Sequence, residues 1–233
     1  MTPVAAADVL EHGAIEVRGR IAGSSNVTLL VTCACPGIEL LAVYKPVAGE
    51  RELWDFPPGL HRREIAARVL SDWLGWHIVP ETVLREDGPF GEGSLQRVVD
   101  EDGVSHYFTL RDEPRWHPEL RRIAAFDVLV NNADRKSGHV LVSDDRLWAI
   151  DHGLTFHEEP KLRTVIWDFA GERLDDPVRE SVARLLDEPL PGELEGLLDD
   201  EELEALVVRA RALARAGRLP KPGSGRPYPW PLV

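Results

Sequence analysis

The apolar residues change their period partway along the chain, and that change limits the folds open to it. From Ala14 to Val99 they fall in short, β-branched runs bounded by Gly, Pro, Asn and Ser, which is the pattern of strands. Ala14–Ile21, Val27–Ala34 and Ile38–Tyr44 read as three strands, separated by the turn clusters Gly23-Ser24-Ser25-Asn26 and Pro36-Gly37. The third ends at Lys45-Pro46, and Val47–Gly59, with Pro57-Pro58-Gly59, is a predicted loop. His61–Trp73 carries Ile65, Val69, Leu70 and Trp73 at helical spacing before Gly75 stops it. Val79–Arg85 and Ser94–Val99 are two more predicted strands.

Beyond residue 100 the period becomes helical. Leu120, Ile123, Ala124, Asp127 and Val128 keep helical register in Pro118–Val130. Asn131–His139, dense in Asn, Asp, Lys and Gly, is a predicted loop, and Val140–Val142 with Leu147–Ile150 a hairpin around Asp144-Asp145. Asp176–Leu186 and Asp200–Ala216 are predicted helices. Arg218–Val233 holds five prolines and reads as an extended tail.

Charge and cysteine content narrow the partners. Forty Asp and Glu oppose 27 Lys and Arg among 233 residues, a formal charge of −13. Such a surface repels nucleic-acid backbones and anionic lipid heads, so nucleic-acid binding and polybasic membrane docking are disfavoured. No stretch reaches the roughly 20 apolar residues that span a bilayer, and Met1–Leu10 lacks the features of a secretory signal. The expected location is cytoplasmic. Cys33 and Cys35 sit two apart on one strand, share a face, and read as reduced thiols.

Four features then follow in order: a Gly/Ser turn between two strands, a lysine ending a third strand, a glutamate early in the next helix, and an acidic loop. That loop is Asp134-Arg135-Lys136-Ser137-Gly138-His139, with a further acid at Asp151 before His152-Gly153. Protein kinases use the same succession. A strand lysine meets ATP phosphates and pairs with a helix glutamate, a loop Asp meets the acceptor hydroxyl, and a residue five positions on joins a later Asp-x-Gly acid in holding metal. Asp168-Phe169-Ala170-Gly171 lies too far on and lacks a preceding hairpin, so it is not taken for that acid.

The chain resembles the phosphatidylinositol 3- and 4-kinase superfamily, in particular a small actinobacterial-type branch. The residues that carry the resemblance are Val43-Tyr44-Lys45-Pro46, Arg62-Arg63-Glu64, Leu74-Gly75, Val79-Pro80, Gly93-Ser94-Leu95-Gln96, Asn131-Asn132-Ala133-Asp134-Arg135 and Ala149-Ile150-Asp151-His152-Gly153-Leu154. The resemblance implies an α+β, bilobal, protein-kinase-like fold. Residues 1–100 would form an antiparallel-sheet lobe, 101–217 a helical lobe, and 218–233 a proline-rich tail. It also implies that Lys45 binds ATP phosphates, that Glu64 orients it, and that Asp134 is the base or positions the acceptor. Gly23, Ser24, Ser25 and Asn26 would cover the phosphates. The strand ending in Gln96, Arg97, Val98 and Val99 would face adenine. Asp151 and His139 would hold Mg²⁺, or Mn²⁺. His139 departs from the family, which has Asn there, and an imidazole favours softer ions.

The implied function is ATP-dependent phosphotransfer to a hydroxyl on a protein, an inositol-type head group or a small alcohol. An ATP-binding pseudokinase and an adenylyl transferase on the same fold are the alternatives.

Overall fold

The computed structural model describes residues 5–24 and 26–233. It opens with a helix the sequence pattern did not reveal, α1 (Ala6–His12). Only Val9 and Leu10 of α1 are buried, too few to show a period. Strands β1 (Ala14–Arg20), β2 (Leu29–Cys35) and β3 (Ile38–Pro46) then form an antiparallel meander. Helix α2 (Leu60–Trp73) follows, then the hairpin β4 (Thr82–Gly88) and β5 (Gly91–Arg97). The sheet order is β1-β2-β3-β5-β4. Val9 and Leu10 pack with Val31, Cys33, Ala42, Tyr44 and Leu95 on one face. Buried Arg85 fastens the end of α1 by donating to Leu10 O (2.8 Å) and Gly13 O (3.0 Å).

Strands β4 and β5 are displaced from their predicted ranges. Ile78 and Val79 are buried in the helical core instead of the sheet, and Ile78 O accepts from Ala149 N at 2.7 Å. Their apolar character reflects that packing, which a local pattern does not distinguish from a strand. Gly91 and Gly93 extend β5 at its other end. A Cβ at Gly93 would lie 2.5 Å from Lys45 O and 2.6 Å from Tyr44 Cε2. Only glycine lets β5 pass β3 this closely.

The second half contains α3 (Tyr107–Leu110), α4 (His117–Val130), the hairpin β6 (Val140–Ser143) and β7 (Arg146–Ala149), α5 (Asp176–Asp187) and α6 (Asp200–Ala216). Asp144 and Asp145 both have positive φ, 53° and 55°, as a two-residue hairpin turn with the strands' twist requires. Leu120, Ile123, Phe126 and Leu129 of α4 are fully buried at the centre of the core. Asp199 caps α6 by accepting from Glu202 N at 2.8 Å.

Helix α2 belongs to both halves. It packs on β4 and β5, while Ala66, Ala67 and Leu70 enter the helical core. Its Arg63 pairs with Glu202 of α6 and donates to Thr155 O at 3.0 Å. The fold is therefore bilobal and α+β, with a sheet lobe and a helical lobe joined through α2. Among the described residues, no helix is long and apolar enough to cross a membrane.

Candidate functional site

The boundary between the lobes gathers charge around Lys45, near the end of β3. Its ammonium donates to Glu64 of α2 and, at 2.7 Å, to Asp151 just beyond β7. Glu64 is buried, and its second oxygen accepts from His152 N at 2.9 Å. One lysine and one glutamate thus join β3, α2 and the Asp151-His152-Gly153 turn. Asp151 has φ 60°, a left-handed conformation that Asp tolerates better than most residues. Burial alone would lower the Lys45 pKa, but the Asp151 and Glu64 carboxylates outweigh it and raise it. Burial opposes ionisation of Asp151 as well, yet Lys45 and then His139 hold its carboxyl far below the usual range. Lys45 and Asp151 are therefore charged at neutral pH.

His139 Nε2 lies 3.3 Å from Asp151 Oδ2. Burial is the main influence on His139 and pushes its pKa down to about 4, so the imidazole is neutral at pH 7. A carboxylate and a neutral imidazole side by side suit a divalent cation, and the nitrogen donor tilts the choice from Mg²⁺ towards Mn²⁺. Among the described residues, no group of three or more His, Cys, Asp and Glu side chains forms a closed metal cage. Phosphate and water oxygens would therefore complete such a site, as is usual for nucleotide-bound ions.

Asp134 sits on a loop that is anchored from beneath. The loop leaves α4 at Asn131, whose φ is 54°. Asn132 Nδ2 donates to Asp127 Oδ1 at 3.0 Å, and its Oδ1 accepts from Asp134 N at 2.9 Å. Arg135, wholly buried, forks onto both oxygens of Asp127 at 3.0–3.1 Å. It also donates to Ile150 O (2.8 Å), His139 O (3.1 Å) and His152 Nε2 (2.8 Å). Asp134 pairs with Lys136 Nζ at 3.0 Å. Burial raises the Asp134 pKa against that pairing.

Arg135, Asp127, Asn132 and His152 are absent from the sequence-derived site, although they hold it together. One signal was available. Asp127 falls on the apolar face of α4, and a buried acid requires a partner.

The remaining expected residues are placed as follows. Gly23, Ser24 and Asn26 lie in the β1–β2 loop, and Ser25 lies outside the described residues. Asn26 Oδ1 accepts from Arg51 N at 3.0 Å, and Val27 N donates to Gly49 O at 3.0 Å, so this loop is tied to the segment that leaves β3. The expected adenine-facing stretch is partly engaged within the sheet. β5 is interior, between β3 and β4. Gln96 points its amide at Thr82 Oγ1, 2.9 Å away. Arg97 N and Val98 N are committed to Glu81 O and Leu41 O, at 2.8 and 2.9 Å. Among the described residues, free backbone therefore starts at the Val98 carbonyl, at the end of the sheet ladder. Asp168, passed over as the metal acid, accepts instead from Tyr107 and Arg111.

Solved structures share this fold. The chain superposes on the Golgi casein kinase with Mn/ADP bound with a TM-score of 0.60 over 89% of this chain and 73% of that one, at 16% identity. The fold is that of the protein-kinase-like proteins. The chain belongs to the same family as protein Rv2133c of Mycobacterium tuberculosis, to which it is 41% identical across 96% of its own length and 94% of that protein. Over 45% of the chain it is also 33% identical to phosphatidylinositol 4-kinase gamma 4 of Oryza sativa subsp. japonica, a match that spans 22% of the rice protein. No family model matches the chain.

Proposed function

We propose that the chain is an ATP-dependent phosphotransferase that passes the γ-phosphoryl group to a hydroxyl acceptor. The observation that carries this reading is the single lysine bound to both Glu64 and Asp151. Phosphoryl transfer asks a protein chiefly for positioning and charge neutralisation. Lys45 supplies a fixed cation for the phosphates, and Glu64 sets its direction. Asp134 stands on the rigid Arg135 loop to orient the hydroxyl and take its proton, with Lys136 beside it. Asp151 and His139 would hold a divalent ion, which supplies charge neutralisation at the phosphates. Gly23, Ser24 and Asn26 of the β1–β2 loop cover the phosphates, and adenine lies against the backbone from the Val98 carbonyl onward.

The sheet lobe is taken as residues 1–100 and the helical lobe as 101–217. The similarity to a kinase solved with Mn/ADP bound and to the rice phosphatidylinositol 4-kinase supports nucleotide use and leaves the acceptor open.

The test is phosphorus NMR of ATP incubated with the protein, Mg²⁺ or Mn²⁺, and a desalted lysate, beside the Asp134→Asn variant. ADP and a new phosphoester, formed by the intact chain alone, are expected. Release of pyrophosphate would replace the proposal with adenylyl transfer. ATP that is bound and unchanged would make the chain a nucleotide-binding pseudokinase.

A further inference from the structure

The tail does more than extend from the helical lobe. Its first part pairs with the segment after Asp168, through Gly171 N to Leu219 O and Leu219 N to Glu172 O, both 3.0 Å. Residues Lys221–Arg226 then run exposed to solvent. The chain returns at Pro227, whose carbonyl accepts from Thr164 N (3.0 Å) and Trp167 Nε1 (3.1 Å). Pro229 is buried. Leu232 packs on the helical core, and its carbonyl accepts from Ser137 N at 2.9 Å.

Ser137 lies between Asp134 and His139 and is fully buried. Thr164 belongs to the strip beside the same loop, where Arg135 N meets Arg163 O (3.0 Å) and Val165 N meets Arg135 O (3.1 Å). The Asp134–His139 loop is thus held on one side by Arg135 and Asp127, and on another by the returning tail. A buried amide without a partner is costly, and the Leu232 carbonyl is the backbone partner of Ser137 N. Pro227, Pro229 and Pro231 lower the entropy lost when the tail is ordered.

We propose that residues 227–232 are a positioning strap. Docked through Pro227 and Leu232, they hold the Asp134–His139 loop in the conformation that phosphotransfer uses. The functional half of this inference rests on the phosphotransferase reading; the structural half does not.

The experiment compares the full chain with a variant ending at Arg226 and with Leu232→Asp, which dislodges the last anchor alone. Three quantities are measured: hydrogen exchange at Ser137 and Thr164, affinity for a fluorescent ATP analogue, and ADP production with Mn²⁺. Expected are faster exchange at both amides in the shortened chain and at Ser137 alone in Leu232→Asp, unchanged nucleotide affinity, and about a 100-fold loss of ADP production, the scale for a small misplacement of a reacting group. A synthetic peptide of residues 224–233 restores protection and turnover to the shortened chain. Ser137 protection that survives either change overturns the strap. So does ADP production that stays level or rises. If the shortened chain fails to fold, Leu232→Asp decides. If the full chain neither binds nor consumes ATP, the phosphotransferase reading falls, and the exchange of Ser137 alone decides whether the strap exists.

Discussion

Replacing Arg135 by Met removes the centre of the loop that carries Asp134. Both members of the Arg135–Asp127 pair are fully buried, so solvent screening does not weaken the effect. Among the described residues, the variant leaves Asp127 with only Asn132 and Thr164 as side-chain partners, and it orphans the carbonyl of Ile150, while His139 O keeps Ile150 N. Breaking a buried pair from one side costs about 3–5 kcal/mol. For a chain of this size that lowers Tm by about 6–20 °C. The sign of the pH dependence is a sharper check. Burial already raises the Asp127 pKa, and Arg135 is the main influence opposing it. Without Arg135, the folded variant binds a proton at Asp127 that its unfolded chain has lost above about pH 4. Stability then falls with rising pH, by up to about 1.4 kcal/mol per pH unit. Urea denaturation of wild type and variant from pH 5 to 8 measures both effects. A penalty under about 1 kcal/mol, or one that is flat with pH relative to wild type, would refute the assignment of Arg135 as the loop's anchor.

Other expectations concern the charged centre and the sheet. Asp151→Asn should abolish metal-dependent ATP binding while Asp134→Asn binds ATP normally and makes no ADP; equal loss of binding in calorimetry would count against those roles. Glu50 accepts from Gly59 N, His61 N and the His61 ring at 2.9–3.0 Å. Burial would raise its pKa, but these donors bring it down to about 2. Its contribution, on the order of 3 kcal/mol, is present above about pH 4.5 and lost as pH falls towards 2. Wild type should therefore lose more stability than Glu50→Gln between pH 6 and 3, and parallel losses would disprove it. Gly93→Ala should destabilise the sheet lobe by about 1–3 kcal/mol or more through overpacking and weaken nucleotide binding, because the clash falls on the Lys45 carbonyl. Unchanged Tm and affinity would show that β3 and β5 have room to separate.

The chain's periodicity was enough to place most elements, and the reason is local. β1, β3, α2, α4, α5 and α6 lie within a few residues of where runs, caps and turn residues put them. Where local pattern misled, packing had overridden it. Val79 reads as the start of a strand and, with Ile78, serves the helical core. Val9 and Leu10 form too short a signal to show a helix, yet they cover the sheet.

For the site, Lys45, Glu64, Asp134 and Asp151 were legible because their order and spacing form a pattern. That Lys45 touches both Glu64 and Asp151 was not, since the partners are 19 and 106 positions away. Nor does sequence show that Arg135 turns inward while Lys136 meets Asp134; adjacent cations in a loop look alike until the buried Asp127 claims one. By itself the sequence determined the two kinds of lobe and which residue types reach their boundary, because period and turn chemistry act over a few residues. Tertiary structure alone decided which charges meet, where the sheet's free backbone begins, and that the tail returns to Ser137. Those contacts depend on burial and on long-range chain closure, which no local window contains.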